Sequence, residues 1–425
     1  MRAARGKRYL KRMVVTQMIN IKRPEDCSGC AACVQACPQS CISFQTDKEG
    51  FSYPIVRQEN CVECGLCQKA CPVTNSKDYH PVIRSYGAQA PDDNLRLKSS
   101  SGGVFGTLAR DTIKNGGVVF GVRMSDDCKS AVFDMASSYE ELAALQSSKY
   151  IQSYPIDTFK TVKQKLSDGC RVLFSGTPCQ INGLKLYLNK DYPNLLTVDI
   201  ICHGVPSPAL WAKYAAETEN RVNKNLSGVN FRCKPQSLEL TDTKESLNSG
   251  QALFSHKDSD AYMGFFLKNL SLRPSCFECK SKTFRLSDIT LGDFWGIDTV
   301  TAGFNDRKGT SGIIIRTEKG AAAFNAVKAQ LKTIDVDYKD VILKNSPEYS
   351  SVKKPEQRSL FFEKMNNTDI VGLKKKFPDA PLYKKAAQKG KQLLKGIKGG
   401  ASKTPSADAM TYGILFTFRQ PPKNS

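Results

Sequence analysis

The feature that most constrains this chain is a cysteine motif that occurs twice near its amino end. Residues 27–38 read C-S-G-C-A-A-C-V-Q-A-C-P and residues 61–72 read C-V-E-C-G-L-C-Q-K-A-C-P, so both copies follow C-x2-C-x2-C-x3-C-P. Three thiolates at this spacing can hold one iron-sulfur cubane, and the fourth, followed by proline, ligates the neighbouring cluster. The spacing predicts one 4Fe-4S cluster on Cys27, Cys30, Cys33 and Cys71. It predicts a second cluster on Cys37, Cys61, Cys64 and Cys67.

Zinc is the alternative metal for such a cysteine-rich segment. Its four-cysteine sites usually combine two C-x2-C pairs across a loop, so the doubled quartet ending in proline fits cubanes better. Cys41 lies outside the pattern and is expected to be a buried thiol. Residues 19–80 resemble a bacterial-type two-cluster ferredoxin, an α+β module that transfers single electrons and needs a further site to supply or accept them.

Charge is distributed unevenly along the 425 residues. The formal net charge is +21, but most of the excess lies in residues 1–18 and 381–425, which we interpret as basic tails. The carboxyl-terminal tail is expected to be flexible, and docking to an acidic ferredoxin or to an anionic membrane surface is its alternative role. The first 17 residues are either a tail or a start assigned upstream of Met18.

Several classes of protein are disfavoured by composition and motif content. No apolar run approaches the ~20 residues of a membrane span, and no secretory hydrophobic region follows the basic start, so a cytoplasmic protein is expected. No recognition fold, and no interleaving of aromatic and basic residues, supports nucleic-acid binding. Walker, G-x-G-x-x-G, G-x-S-x-G and H-E-x-x-H motifs are absent from the sequence.

Residues 81–380 have the pattern of an α/β domain with a parallel or mixed sheet. Apolar residues recur at helical spacing in 104–113, 156–166 and 181–188, and apolar strands are predicted at 118–122, 171–175, 195–202 and 288–295. The succession of strand, helix and strand between 171 and 202 implies parallel pairing. Ligands of such sheets bind at the carboxyl ends of the strands.

Two further cysteines are expected at that edge. Cys179 follows one predicted strand and Cys202 ends the next, while Cys276 and Cys279 form a C-x2-C pair before a third. Together these four could hold a third cluster, although buried thiols and a zinc-binding pair are the alternatives. Cys128, Cys170 and Cys233 have no partner spacing. His203 is expected to have a structural role.

A run of small residues precedes the predicted helix at 104. The run consists of Ser99, Ser100, Ser101, Gly102 and Gly103. Its backbone N–H groups could hold a phosphate at the positive end of the helix. A flexible linker with a helix cap is the alternative.

Six phrases in the same order resemble the coenzyme F420 hydrogenase/dehydrogenase beta-subunit family. They are S-S-S-G-G-V-F at 99–105, S-K-Y-I-Q-S at 148–153, F-S-G-T-P-C-Q at 174–180, I-C-H-G-V-P-S-P at 201–208, C-F-E-C at 276–279 and L-G-D-F-W-G-I at 291–297. The resemblance implies a flavin-binding α/β domain in which FAD lies beside an iron-sulfur cluster. It also implies that Cys179, Cys202, Cys276 and Cys279 ligate that cluster.

The resemblance further implies contacts to the flavin or its substrate. The serine-glycine run and Thr177 are the expected cofactor-binding residues, and Lys149 and Asp293 are the expected catalytic residues. The implied activity is electron transfer between a hydride-type substrate such as F420 and one-electron carriers, with a ferredoxin or a redox subunit as partner. A relay subunit without catalysis, and a reductase of another substrate in a biosynthetic pathway such as that of a polysaccharide, are the alternatives.

Overall fold

The computed structural model describes residues 19–75, 79–234, 242–256 and 259–379. The two expected tails, 1–18 and 381–425, lie outside the described residues. Within the described ranges, no helix combines the length and the apolar character needed to cross a membrane.

The iron-sulfur module repeats one local structure in its two motif copies. In each copy the residue before the second cysteine and the residue after it have positive φ: Gly29 (70°) and Ala31 (61°) in the first, Glu63 (50°) and Gly65 (74°) in the second. A short helix then carries the third cysteine, in α1 (Ala32–Ala36) and α2 (Leu66–Lys69). Between the copies, β1 (Ile42–Thr46) and β2 (Ser52–Val56) pair as an antiparallel hairpin.

The remaining chain is built on a large mixed sheet. Its strands are β3 (Arg84–Gln89), β4 (Val118–Met124), β5 (Ala131–Ala136), β6 (Val172–Gly176), β7 (Leu195–Ile200), β11 (Ile289–Asp293), β12 (Ser311–Ile315) and β13 (Lys332–Asp335). Their spatial order in the described residues is β13-β3-β12-β11-β7-β6-β4-β5. The central strands β11, β7, β6 and β4 are parallel, and the pairs at either side are antiparallel.

A smaller antiparallel sheet lies beside this large one. It contains β8 (Leu226–Cys233), β9 (Asp242–Leu247) and β10 (Ala252–His256). The helices of this larger part are α3 (Asp93–Leu97), α4 (Val104–Lys114), α5 (Tyr139–Leu145), α6 (Thr158–Ser167), α7 (Pro178–Leu188), α8 (Pro208–Val222), α9 (Ala261–Leu267), α10 (Glu318–Lys328), α11 (Tyr338–Ile342), α12 (Arg358–Met365) and α13 (Ile370–Lys376). Single 3-10 turns occur at Pro24–Asp26, Gln58–Asn60, Pro274–Glu278, Lys280–Lys282, Ile297–Thr299 and Ser346–Glu348.

Both faces of the large sheet are buried because its central strands are apolar on both sides. Alternate residues of β4 and β6 point to opposite faces. Val119 and Leu173 pack with α4 and α10, whereas Phe120 and Phe174 pack with α6 and α7. This arrangement leaves the carboxyl edge of the parallel strands as the open side of the sheet.

The iron-sulfur module is fixed to the sheet through a seam of buried side chains. Arg273 is fully buried and donates to the carbonyl oxygens of Cys27 (2.6 Å) and Ser52 (3.0 Å), and also to Gln152 Oε1 at 3.1 Å. Gln35 of α1 donates to Pro155 O at 2.6 Å and accepts from Phe159 N at 2.7 Å. The module therefore has one defined position against the sheet.

The structure agrees with the predicted strands and helices except at Ile156. The sequence allowed a parallel or a mixed sheet, and the large sheet is mixed. Ile156, assigned to the buried face of a helix, precedes α6 and is exposed. Its spacing to Phe159 mimics a helical period, but Asp157 has a φ of 60° and the helix begins after it.

Candidate functional site

The eight motif cysteines form two quartets around two cavities. Each quartet takes three cysteines from one motif copy and the fourth from the other, as the spacing predicts. The inner quartet consists of Cys27, Cys30, Cys33 and Cys71. The outer quartet consists of Cys37, Cys61, Cys64 and Cys67, and Cys41 also borders its cavity.

A third quartet forms at the carboxyl edge of the large sheet. Cys179 lies in the first turn of α7 and Cys202 follows β7. Cys276 lies in the turn at Pro274–Glu278, and Cys279 directly follows that turn. All four border one small cavity. Thr177 Oγ1 lies 3.2 Å from Cys179 Sγ, and Lys282 Nζ donates to the carbonyl of Cys202 at 2.7 Å.

The donor chemistry of the three quartets fits iron-sulfur clusters. Within the described residues, no three His, Cys, Asp or Glu side chains approach closely enough to surround a single metal ion. A cubane is wider than an ion, so four thiols set around a cavity suit a cluster better than zinc. Burial raises the pKa of Cys179 to about 12, and iron binds the thiolate in place of that proton.

A cavity of about 450 Å³ opens at the same edge of the sheet. The predicted residues that border it are Ser99, Ser100, Ser101, Gly103, Lys149, Thr177 and Asp293. They come from the segments after α3, α5 and β6 and from the last residue of β11. Strands β6 and β11 both end at this carboxyl edge of the sheet. The volume lies within the range of small-molecule and cofactor sites.

The serine run is a structured loop rather than a flexible linker. Ser99 Oγ donates to Leu95 O at 2.7 Å and Ser101 Oγ donates to Thr310 O at 2.8 Å. Ser100 Oγ accepts from Ser148 N at 2.8 Å. The loop leads into α4, whose preceding residue Gly103 (φ 89°) provides no side-chain cap. The positive end of this 11-residue helix is therefore directed at the cavity wall.

Gly102 belongs to the same run but does not border the cavity. A Cβ at this position would lie 2.3 Å from Ala88 O and 2.6 Å from Ser311 N. Its amide donates to Ser311 Oγ at 2.9 Å. Glycine here permits the loop to lie against β3 and β12, which is a packing role instead of the predicted cofactor contact.

Lys149 borders the cavity with its ammonium group held by backbone. Nζ donates to Ala144 O at 2.7 Å, Gln146 O at 2.6 Å and Ser147 O at 3.3 Å, at the carboxyl end of α5. Burial lowers the pKa of Lys149 to about 7. Thr177 is similarly engaged, because it forms a reciprocal cap with Gln180 at the start of α7.

Asp293 is paired with an arginine that the sequence did not single out. Arg232 of β8 lies 3.0 Å from Asp293 Oδ2 and donates to Ser100 O at 2.9 Å. Its buried Nε has no protein partner in the described residues. Trp295, 46% exposed, borders the cavity with its ring 5.9 Å from that guanidinium. Arg232 comes from the other sheet, so no local sequence signal identifies it.

The inner-quartet, third-quartet and large cavities share lining residues, and the outer quartet adjoins the inner one through a buried cluster. Ser28, Pro72 and Val73 border both the inner-quartet and the third-quartet cavities. Residues 202–205 border both the third-quartet cavity and the large cavity. Cys33 and Cys37, from the inner and outer quartets, pack in one buried cluster with Cys67. The order is therefore outer quartet, inner quartet, third quartet, large cavity.

The other residues considered from the sequence have structural surroundings. His203 lies in the wall between the third quartet and the large cavity, where Nε2 is 2.6 Å from Asn269 Oδ1 and burial lowers its pKa. Cys128 is buried in the core around Trp211, and Cys170 and Cys233 are partly buried.

Comparisons with known proteins match both parts of the chain. Residues 169–339 match the model for the C terminus of the coenzyme F420 hydrogenase/dehydrogenase beta subunit, and residues 26–75 match a 4Fe-4S dicluster domain. A solved structure from Methanosarcina barkeri, described as a xenon derivative of the F420-reducing [NiFe] hydrogenase complex, is 17% identical with a TM-score of 0.43. It covers 63% of this chain and 90% of its own. No curated protein matches the chain.

Proposed function

We propose that this chain, in which residues 169–339 match the C terminus of the coenzyme F420 hydrogenase/dehydrogenase beta subunit and residues 26–75 match a 4Fe-4S dicluster domain, is an iron-sulfur flavoprotein oxidoreductase. It transfers electrons between an F420-like hydride carrier at the large cavity and a one-electron partner at the iron-sulfur module. The observation that carries the proposal is the unbroken order of three cysteine quartets and one cofactor-sized cavity.

The large cavity supports a flavin through its electrostatics. Arg232 and Lys344 border it against the single carboxylate of Asp293 among its described lining residues, and the positive end of α4 adds to this charge. The free Nε of Arg232 is a buried donor that requires an acceptor. We assign the serine loop, the start of α4 and Arg232 to binding the anionic part of FAD. The bound flavin supplies the conversion between two-electron hydride chemistry and one-electron carriers.

The chain's own residues position and shield this site. Arg232 holds Asp293 and the Ser100 carbonyl in one arrangement, and the Lys149 bonds fix the loop after α5. The half-exposed ring of Trp295 offers a flat surface at the cavity. A planar, anionic hydride carrier such as F420 suits this site, because its flat face can stack on the Trp295 ring and its negative charge can pair with the Arg232 guanidinium.

The iron-sulfur module provides the exit toward a partner. Cys64 of the outer quartet is exposed, and so are the neighbouring Val62 and Leu66. The inner quartet is buried. A ferredoxin or redox subunit therefore meets the outer quartet first, and the inner and third quartets connect it to the cavity.

Anaerobic reconstitution with iron, sulfide and FAD tests the cofactors. We expect about twelve iron atoms per chain, four at each quartet, together with one flavin. Cys179→Ser should remove about four irons and leave the module's clusters, whereas Cys170→Ser, which changes a cysteine outside the quartets, should remove none. A reconstituted wild-type protein without flavin would contradict the enzyme proposal.

The path between the cavity and the module can be tested separately. Dithionite should reduce the clusters of the module in both wild type and Cys179→Ser. Reduced F420 or another hydride donor should reduce them rapidly in wild type and in Cys170→Ser only. Equal rates in Cys179→Ser would show that the third quartet does not connect the two sites.

A further inference from the structure

The outer-quartet cavity is bordered by five cysteines, although a cubane needs four. The fifth is Cys41, which the repeated motif does not include. Its side chain is buried, at 2% exposure, and its Sγ lies 3.3 Å from Cys37 Sγ. Both cysteines are free thiols, so this short contact joins two separate sulfur atoms.

Backbone pairing fixes the position of Cys41. Pro38 turns the chain after the motif, and Cys41 directly precedes β1 at Ile42. Its carbonyl accepts from Arg57 N at 2.9 Å, which extends the pairing of β1 and β2 by one residue. Cys37, Cys41 and Ile42 pack in the same buried cluster. The thiol of Cys41 is therefore held against Cys37 by the hairpin and does not depend on a metal for its place.

The inner quartet has different surroundings. Besides its four cysteines, its described lining contains Ile21, Ser28, Ala31, Phe44, Pro72 and Val73, and no fifth thiol. The two quartets have the same ligand spacing and the same repeated backbone, so Cys41 is a chemical difference between otherwise similar sites. The hydrogen bonds that cluster sulfurs receive are one of the factors that set reduction potentials.

We propose that Cys41 is a positioning residue whose S–H donates a hydrogen bond to the cluster-ligating sulfur of Cys37 and raises the reduction potential of the outer cluster. Reduction adds negative charge to the cluster and its ligands, so a donor at Cys37 stabilises the reduced state more than the oxidised one. The outer cluster, at the exposed end of the module, is thereby more easily reduced than it would be without this donor. This inference requires a cluster at the outer quartet but neither a flavin nor a hydride substrate.

The test is a potentiometric titration of the reconstituted protein followed by electron paramagnetic resonance. We expect Cys41→Ala to keep the wild-type iron content and to shift one cluster potential downward. Cys41→Ser, which retains a donor, should recover most of the shift. The outer cluster is identified as the signal changed by Cys64→Ser. Cys170→Ala is the matched control and should leave every potential unchanged.

Two results would overturn the proposal. Unchanged potentials in Cys41→Ala would show that the thiol does not act on the cluster. A loss of about four irons in Cys41→Ala would make Cys41 a ligand instead of a donor. If Cys41→Ala does not assemble, the potential of the outer cluster is compared between Cys41→Ser and wild type. An equal potential supports the hydrogen bond, because serine retains a donor. A clearly lower potential in assembled Cys41→Ser contradicts it. Dithionite and mediators drive the titration, so failure of the flavin proposal would not alter its outcome.

Discussion

Arg273 offers the most direct test of how the iron-sulfur module is attached. Its guanidinium donates to two carbonyl oxygens of the module, on Cys27 and Ser52, and to Gln152 of the larger part. It also lies 4.3 Å from the ring centroid of Tyr53. The substitution Arg273→Met keeps much of the volume and removes every donor. Three acceptors then lose a charged partner in a buried site.

The expected cost follows from these contacts. Each hydrogen bond from a charged group contributes about 1.5–3 kcal/mol. Removal of the guanidinium also removes its own burial penalty, so the net loss is about 4 kcal/mol, within the range for breaking a buried charged interaction. For a cooperative unit of ~350 residues with an unfolding entropy of about 2.1 cal/mol/K per residue, this corresponds to a decrease in Tm of about 5–6 °C.

Anaerobic differential scanning calorimetry measures this decrease, and limited proteolysis shows whether the module separates first. Arg273→Lys, which retains the charge without the planar fork, should lie between the variant and wild type. Arg110→Met is the surface control, because Arg110 forms an exposed pair with Asp92 and should change stability by about 1 kcal/mol or less. If Arg273→Met has the Tm of wild type and its module is cleaved no faster by protease, the seam does not depend on this residue.

Three further predictions concern the cavity and the neighbouring core. Arg232→Met should abolish or strongly weaken flavin binding in reconstituted protein while the iron content stays constant; retention of flavin would remove Arg232 from the site. Gly102→Ala should cost about 1–3 kcal/mol in urea unfolding, because its Cβ meets Ala88 O; Gly228→Ala, with ordinary contacts, should not. Burial and the nearby Asp260 raise the pKa of Glu245 to about 7. The folded state therefore binds more protons than the unfolded state, and stability should fall by about 2–3 kcal/mol as pH rises from 4.5 to 7; Glu245→Gln should flatten this part of the Tm profile, and an unchanged slope would refute the assignment.

Local sequence patterns were sufficient to predict the cysteine quartets and the edge of the sheet at which they meet. Cysteine spacing predicts the inner and outer quartets because each motif copy is one continuous loop and helix. Cys179 and Cys202 could be brought together because parallel strands end at one edge. The prediction that Ile156 lies on the buried face of a helix was wrong, because Asp157 has a positive φ and α6 begins only after it.

Long-range partners could not be predicted in this way. Arg232 reaches Asp293 from the smaller sheet, and Arg273 reaches Cys27 across 246 positions of sequence. Neither residue lies in a motif, and a buried arginine is unusual enough that composition argues against it. The packing role of Gly102 depends on the carbonyl of Ala88, which a run of small residues does not reveal.

The buried seam has a consequence for protein engineering. Arg273, Gln35 and Gln152 belong to different segments, and each satisfies a polar group of the opposite part. A foreign ferredoxin grafted onto this scaffold would leave these amides and this guanidinium facing an unmatched surface. Such a chimera would also need the polar residues of the native module that contact the larger part. A fusion at the linker alone would tether the two parts without fixing the distance between their redox centres.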